Sequence, residues 1–297
     1  MFRKFQAVLL AGTVVLVAAC GDDTTSSPAT DPAPAAPQAI ISLSPTGTEL
    51  LFALGAGEQV LAVDNFSNYP PDAAALQQGI DAYQPNVEAI AALEPDLVVT
   101  EGSNPDLLTQ LDQLDIAHFD GIAPATFDDL YSQIEQLGAA VGRTAEAAEL
   151  VLAIETGIAA ATADLPPLGE PLTYYHELDP TFFSVTSDSF IGAVYDLFGL
   201  VNIADAAGTD TAYPQLSAEY IIDADPDLIF LACANYCGET PATVAARPGW
   251  DTIAAVRNGG VIALDDDIAS RWSPRIVEFV EQVSAAVQAQ AALQPAG

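Results

Sequence analysis

Two histidines and three cysteines make the candidates for chemistry in this 297-residue chain quick to locate. The stretch "YYHELDP" sets Tyr174, His176 and Glu177 at the end of an apolar run. Strand side chains alternate between faces, so Tyr174 and His176 point the same way, and either type can ligate a haem iron. A lone histidine at a strand end is more often a hydrogen-bonded cleft or core residue, which makes ligation the minor reading. "CANYC" spaces Cys233 and Cys237 four apart. Two thiols without nearby histidines make a poor metal site, and outside the cytoplasm a disulfide is the default. No Gly-x-Ser-x-Gly elbow accompanies His118 or His176. "GAG" at Gly55 to Gly57 lacks the rest of a dinucleotide fingerprint and reads as a helix exit. An extracytoplasmic hydrolase is the rival from another class, but no nucleophile presents itself, and neither a catalytic residue nor an intrinsic cofactor or metal is assigned.

A second set of residues is repeated. "NVEAIAALEPDLVVT", from Asn86, and "SAEYIIDADPDLIFL", from Ser217, align without a gap and share Glu, Ile, Pro, Asp and Leu. Glu219 follows Glu88 by 131 residues, as Pro226 follows Pro95. Asn86 and Ser217 are good N-caps, which sets each glutamate second in a first helical turn. Each proline then ends a short helix and a buried strand begins. An acid in a first turn is favoured by the helix dipole, by up to ~1 kcal/mol, and in so acidic a chain composition alone often puts one there. Spacing takes the pair no further than that.

The elements that must carry these residues alternate. Strands are expected at 39–43, 60–63, 96–100, 116–119, 172–176, 227–232 and 260–264, with helices at 48–54, 105–114, 127–141, 190–199 and 273–288. Such β-then-α alternation argues for parallel sheets built from crossover units. Thr46 and Glu49 have the spacing of a capping box. The longest helix is expected from Thr144 to Leu165, stopped by Pro166 and Pro167, at roughly 33 Å. It falls between the two copies of the repeat, which favours two Rossmann-like α/β lobes joined by one long backbone helix over a single large doubly wound domain. The expected division is a signal peptide over 1–19, a tether over 20–38, a first lobe over 39–143, the linking helix over 144–165 and a second lobe over 166–297.

Charge and the N-terminus bound the surroundings. Arg3 and Lys4 precede "AVLLAGTVVLVAAC", a basic start and a short apolar run ending in small residues, which reads as a signal peptide. Its end at Cys20 resembles a lipobox, with Cys20 carrying the lipid; the other reading is a secreted protein whose Cys20 is incidental. The Ser/Thr/Pro/Ala-rich stretch that follows cannot build a core and reads as a disordered tether. The protein is thus expected outside the cytoplasmic membrane, held there by its N-terminal lipid alone, as a monomer. Seven basic residues stand against 41 acidic ones. Lys4 is the single lysine, and beyond the first residues only Arg143, Arg247, Arg257, Arg271 and Arg275 are basic. Nothing could neutralise phosphates, so nucleic-acid binding is excluded. The excess acid reads as a solvated surface suited to salty surroundings.

"IISLSPTGTELLFALGAGEQVLAVDNFSNYP" resembles the opening of the cobalamin-binding and ferric-siderophore-binding proteins of ABC importers, the class III solute-binding proteins. The likeness continues through the two repeat copies, "FFSVTSDSFIGAVYDLFGLVNIAD" and "SRWSPRIVEFVEQV", and covers nearly everything from Ala39 to Ala286. It implies two α/β lobes with a ligand cleft between them and modest closure about the bridging helix. It also implies that Glu88 and Glu219, one per lobe, dock onto arginine pockets of a two-subunit permease with its cytoplasmic ATPase. Sites in such folds lie at the carboxyl ends of the parallel strands. In the first lobe that points to Ser44, Pro45, Thr46, Asn65, Phe66, Tyr69, Glu101 and Ser103; in the second, to His176, Glu177, Asp179, Phe183, Asn235, Tyr236, Arg271 and Trp272. The aromatic members offer flat walls to a bulky ring system. Arg271 could pair with a phosphate, carboxylate or catecholate oxygen, or belong to a structural salt bridge. The branch that captures bare zinc or manganese needs more ligands than two histidines. The implied cargo is a metal chelate, cobalamin or a ferric siderophore, with haem as the alternative; "SLSPTGTELLFALG" and "YPP" lean to the cobalamin branch. A receptor that senses the ligand without a permease fits the same residues.

Overall fold

The computed structural model describes residues 35–102, 104–208 and 210–293. The expected signal peptide, Cys20 and most of the tether lie outside the described residues, as does Ser103. The rest forms two all-parallel sheets. The first runs in the order β3-β2-β1-β4-β5, with β1 Ile40–Ser42, β2 Val60–Asp64, β3 Gln77–Ile80, β4 Leu97–Thr100 and β5 His118–Asp120. The second runs β7-β6-β8-β9, with β6 Thr173–Glu177, β7 Val201–Asn202, β8 Leu228–Leu231 and β9 Val261–Ala263.

The repeat occupies the same place in each sheet. β4 lies beside β1 and β8 beside β6, so each copy supplies an inner strand. Asn86 and Ser217 cap the Val87–Ala91 and Ala218–Ala224 helices, each accepting from the amide three residues on. Such a cap contributes about 1 kcal/mol. Glu94 and Asp225 both turn the chain at positive φ, 51° and 46°, where a side chain is disfavoured. The repeated aspartates then tie the sheet. Asp96 accepts from the amides of Gln38 and Ala39 at the entrance to β1, and Asp227 from the amide and hydroxyl of Thr173 at the entrance to β6. The repeated aspartate thus satisfies donors at a strand entrance in each sheet.

Strand side chains divide by parity, as a doubly covered sheet requires. Leu97, Val99, Leu228 and Phe230 enter a cluster that also takes in Ile154 and Ile158. Val98 joins a second cluster on the outer face of its sheet, and Ile229 a third. The Thr144–Thr162 helix thus sits within a core shared by both sheets. It ends before Ala163, shorter than expected. The Ile276–Ala291 helix packs back on it: Ser284 donates to the Ala161 carbonyl, and Gly157 leaves room for Val277, whose nearest methyl would lie 2.7 Å from an added Cβ. The C-terminal helix therefore braces the bridge as well as finishing the second lobe.

Three local readings change. β3 and β7 have no apolar pattern, because β3 is an exposed edge strand of Gln77, Gln78, Gly79 and Ile80 and β7 is only two residues long. The first helix begins earlier, at Pro45, and Ser44 rather than Thr46 caps it, accepting from Gly47 N at 2.9 Å. Glu49 is no capping-box partner, since its carboxylate is buried against two arginines.

Candidate functional site

The carboxyl ends of β1, β2 and β4 open towards the loop that holds Cys233 to Cys237 and the segment from Asp265 to Trp272. Between them lies a groove of about 400 Å³, open to solvent, lined by Pro45, Thr46, Phe66, Tyr83, Glu101, Tyr236, Asp267, Ser270, Arg271 and Trp272. Local rules place these side chains. Ser44 starts a helix at the end of β1 and so presents Pro45 and Thr46 at its first turn. Asp64, fully buried at the end of β2, accepts from the amides of Phe66 and Ser67 and from the Ser67 hydroxyl, turning the chain so that Phe66 stands out. Phe66 meets Tyr83 edge-on at 5.4 Å. On the other side, the Cys233–Cys237 disulfide closes a single helical turn whose Cα atoms are 5.2 Å apart. Asp266 fixes that turn by accepting from the amides of Asn235 and Tyr236. Tyr83 and Tyr236 remain 65% and 71% exposed, so their rings are free for contact.

Behind the groove an apolar hollow of about 170 Å³ shares Ser270, Arg271 and Trp272 with it. Its other walls include Leu178, Phe190, Ile191, Val194, Tyr213, Ile276 and Phe279. Trp272 stands between the two spaces, with Nε1 donating to Gln133 Oε1 at 3.1 Å.

Arg271 lines the groove with its guanidinium already engaged. Nη1 donates to Glu49 at 2.8 Å and to Asn68 at 2.9 Å; Nη2 donates to Asp267 at 2.6 Å and to the Phe66 carbonyl at 3.2 Å. Arg275 donates to both oxygens of Glu49 and lies over the Tyr69 ring at 4.3 Å. Arg271 is thus the structural salt bridge that the sequence left open, and it spans 222 residues. Burial raises the Glu101 carboxyl above the usual carboxylate range; the charge of Asp64 adds to the rise, while a hydrogen bond with Ser44 and the charge of Arg271 oppose it.

Of the expected ligand residues, Pro45, Thr46, Phe66, Glu101, Tyr236, Arg271 and Trp272 come together in the groove. Ser44 lies buried beneath it and Asn235 beside Tyr236. The others go elsewhere. His176 is wholly buried, because β6 is paired on both sides and Tyr195 covers it, its hydroxyl 2.7 Å from Nδ1. Glu177 is buried in a two-pronged pair with Arg247, which also stacks on Trp250 at 4.4 Å. Tyr69 faces Arg275 in a separate hollow with Phe52 and Pro274. Asp179 accepts from Thr181, Phe183 bridges to Gln215, and Asn65 continues the β2 edge by donating to the Ile80 carbonyl. Tyr83, Asp267 and Ser270 join the lining without a signal of their own in the sequence: Tyr83 follows the edge strand β3, Asp267 is one acid among many, and Ser270 is only the residue before Arg271. Glu88 and Glu219 are exposed, and no hydrogen bond or ion pair engages either carboxylate among the described residues.

Comparison with known proteins agrees with this geometry. An ABC transporter substrate-binding lipoprotein of Bacillus subtilis, YvrC, is 27% identical over 84% of this chain and 80% of its own. A vitamin B12-binding protein of Vibrio cholerae is 30% identical over 82% of this chain and 87% of its own. The solved structure of a periplasmic heme-binding protein, RhuT from Roseiflexus, superposes with a TM-score of 0.76 at 24% identity, over 86% of this chain and 99% of its own, a likeness of fold. The family model described as periplasmic binding protein matches residues 40–268. With two parallel-sheet lobes facing each other across an aromatic groove, the chain belongs to the periplasmic binding protein family.

Proposed function

We propose that this protein is the solute-binding component of an ABC importer, that it works outside the cytoplasmic membrane, and that its cargo is a bulky metal chelate of the cobalamin class. It is a binding protein and not an enzyme. The observation that carries the ligand class is the groove itself: Phe66, Tyr83, Tyr236 and Trp272 offer four aromatic walls at the carboxyl ends of the strands, with an apolar hollow behind. Four such walls around one opening suit a bulky ring system. The B12-binding relative supports the same class. Cys20 carries the lipid in this reading, and residues 20–38 give the reach to a permease. Glu88 and Glu219, exposed at matching first turns, are the handles for its two subunits.

Tryptophan fluorescence of the full chain in detergent, titrated separately with cobalamin, ferric siderophores and haemin, tests the proposal. Trp272 lines the groove, whereas Trp250 is buried in the second lobe. Saturable quenching that disappears in Trp272→Phe supports the reading and identifies the chelate. Absence of any response in a folded sample removes the metal-chelate reading.

A further inference from the structure

Resting on the chelate reading above, we propose that the groove selects by charge: it takes chelates of zero or positive net charge, a corrinoid cation above all, and turns away anionic ones. An anionic chelate needs a cation to pair with, and the one cation in the groove lining, Arg271, already donates to Glu49, Asn68, Asp267 and the Phe66 carbonyl. Arg143 pairs with Glu146, Arg257 with Asp225, and Arg247 with Glu177 and Glu239. Arg271 and Arg275 share Glu49, and Arg271 also holds Asp267. In that last cluster two arginines face two carboxylates, so its charge sums to zero.

What remains in the lining is Glu101, backed by the buried Asp64, whose negative charge raises the Glu101 carboxyl further. A cation entering beside Glu101 relieves that repulsion, and an anion worsens it. The aromatic walls act in the same sense, because the faces of Phe66, Tyr83, Tyr236 and Trp272 carry the negative part of the ring quadrupole. A cobalt(III) corrin without an anionic axial ligand is a cation, whereas haemin with two ionised propionates and a ferric tris-catecholate are anions. The groove is built for the first and against the others.

Corrinoids of one frame and different charge give the test. Aquacobalamin is a cation, cyanocobalamin is neutral, and a cyanocobalamin monocarboxylic acid is an anion above its carboxyl pKa. Titration calorimetry at low salt on the full chain in detergent is expected to rank them in that order. A unit charge about 4 Å from Glu101 is worth about fivefold in Kd even at the dielectric of bulk water. Glu101→Gln should narrow the gap between cation and monocarboxylate, which differ by two units of charge, by at least that factor and up to its square, while Glu155→Gln, on the exposed side of the linking helix, leaves it unchanged. The control matters because the net charge of −34 attracts cations to the whole surface. A monocarboxylate that binds as well as aquacobalamin, or a gap that Glu101→Gln does not narrow, overturns charge selection while leaving the chelate reading intact. Failure of every corrinoid, haemin and ferric siderophore to bind removes the chelate reading and the selection with it.

Discussion

Glu49 on the first helix and Arg271 near the C-terminal helix meet 2.8 Å apart with both side chains almost wholly buried. With Arg275 on the same carboxylate and Asp267 on the same guanidinium, the pair ties the first lobe to the segment that closes the second. Glu49→Ala leaves two arginines short of their acceptor in a buried place. Removing one partner of such a cluster costs about 3–5 kcal/mol, and the urea midpoint should fall accordingly with an unchanged m-value. An unmoved midpoint would show that water replaces the carboxylate without penalty.

The disulfide acts locally. It closes only a short loop, so Cys233→Ser with Cys237→Ser should lower the melting temperature little. Its effect belongs to the turn that presents Tyr236 over the groove. We expect the double variant to bind its chelate more weakly, by about fivefold for one loosened aromatic wall. Calorimetry on oxidised and reduced protein reads the same effect without mutation. Equal affinity in both states would mean that Asp266 alone holds the turn.

His176 makes stability depend on pH. Burial pushes its imidazole down to about 3, against about 6.5 for an exposed histidine. Between those values the unfolded chain takes up a proton that the folded chain refuses, so stability falls as the pH drops from about 6.5 towards 3. Asp64, Glu101 and Glu177 act in the opposite sense. Burial raises their carboxyls, so folding is favoured as they protonate. That contribution fades as pH rises through their folded values. Chemical melts of the parent and of His176→Gln between about pH 6.5 and 5 separate the histidine from those carboxyls, because the variant keeps all three. His176→Gln should flatten the decline there, and an unchanged slope would sink the assignment.

Glu88→Arg and Glu219→Arg test the handles. Both positions are exposed and do not line the groove, so chelate affinity should stay within error and the melting temperature should fall only slightly, since an exposed first-turn acid contributes up to ~1 kcal/mol. Uptake by cells carrying the matching permease should drop with either change and be lost with both. Full uptake with the double variant would leave the two acids as ordinary helix-dipole partners.

Much of the fold is legible in the chain because parallel strands are short apolar runs and helices carry caps. The seven apolar strands, the disulfide pair and the two repeat units all appear where the residues place them. β3 and β7 are not legible, since an exposed edge of glutamines and a two-residue strand leave no periodicity. Glu49 shows a different limit. Three residues after Thr46 it has the pattern of a local cap, yet its partners lie more than 200 residues away, and only tertiary packing can overrule the nearer option. The site divides likewise. Phe66 and Tyr236 are readable from the loops that carry them, whereas His176 and Glu177 were drawn to the groove by position alone. Strand pairing and Arg247 take them into the interior instead.

The core shared by both sheets has a last consequence. Glu88 belongs to one lobe and Glu219 to the other, and a continuous apolar interior with a buried four-charge knot keeps the lobes from swinging far apart. The separation of Glu88 and Glu219 is therefore expected to change little when cargo enters the groove. A permease docked on both acids, as proposed above, would meet a ruler of fixed length and would have to read the cargo from the groove rim between them.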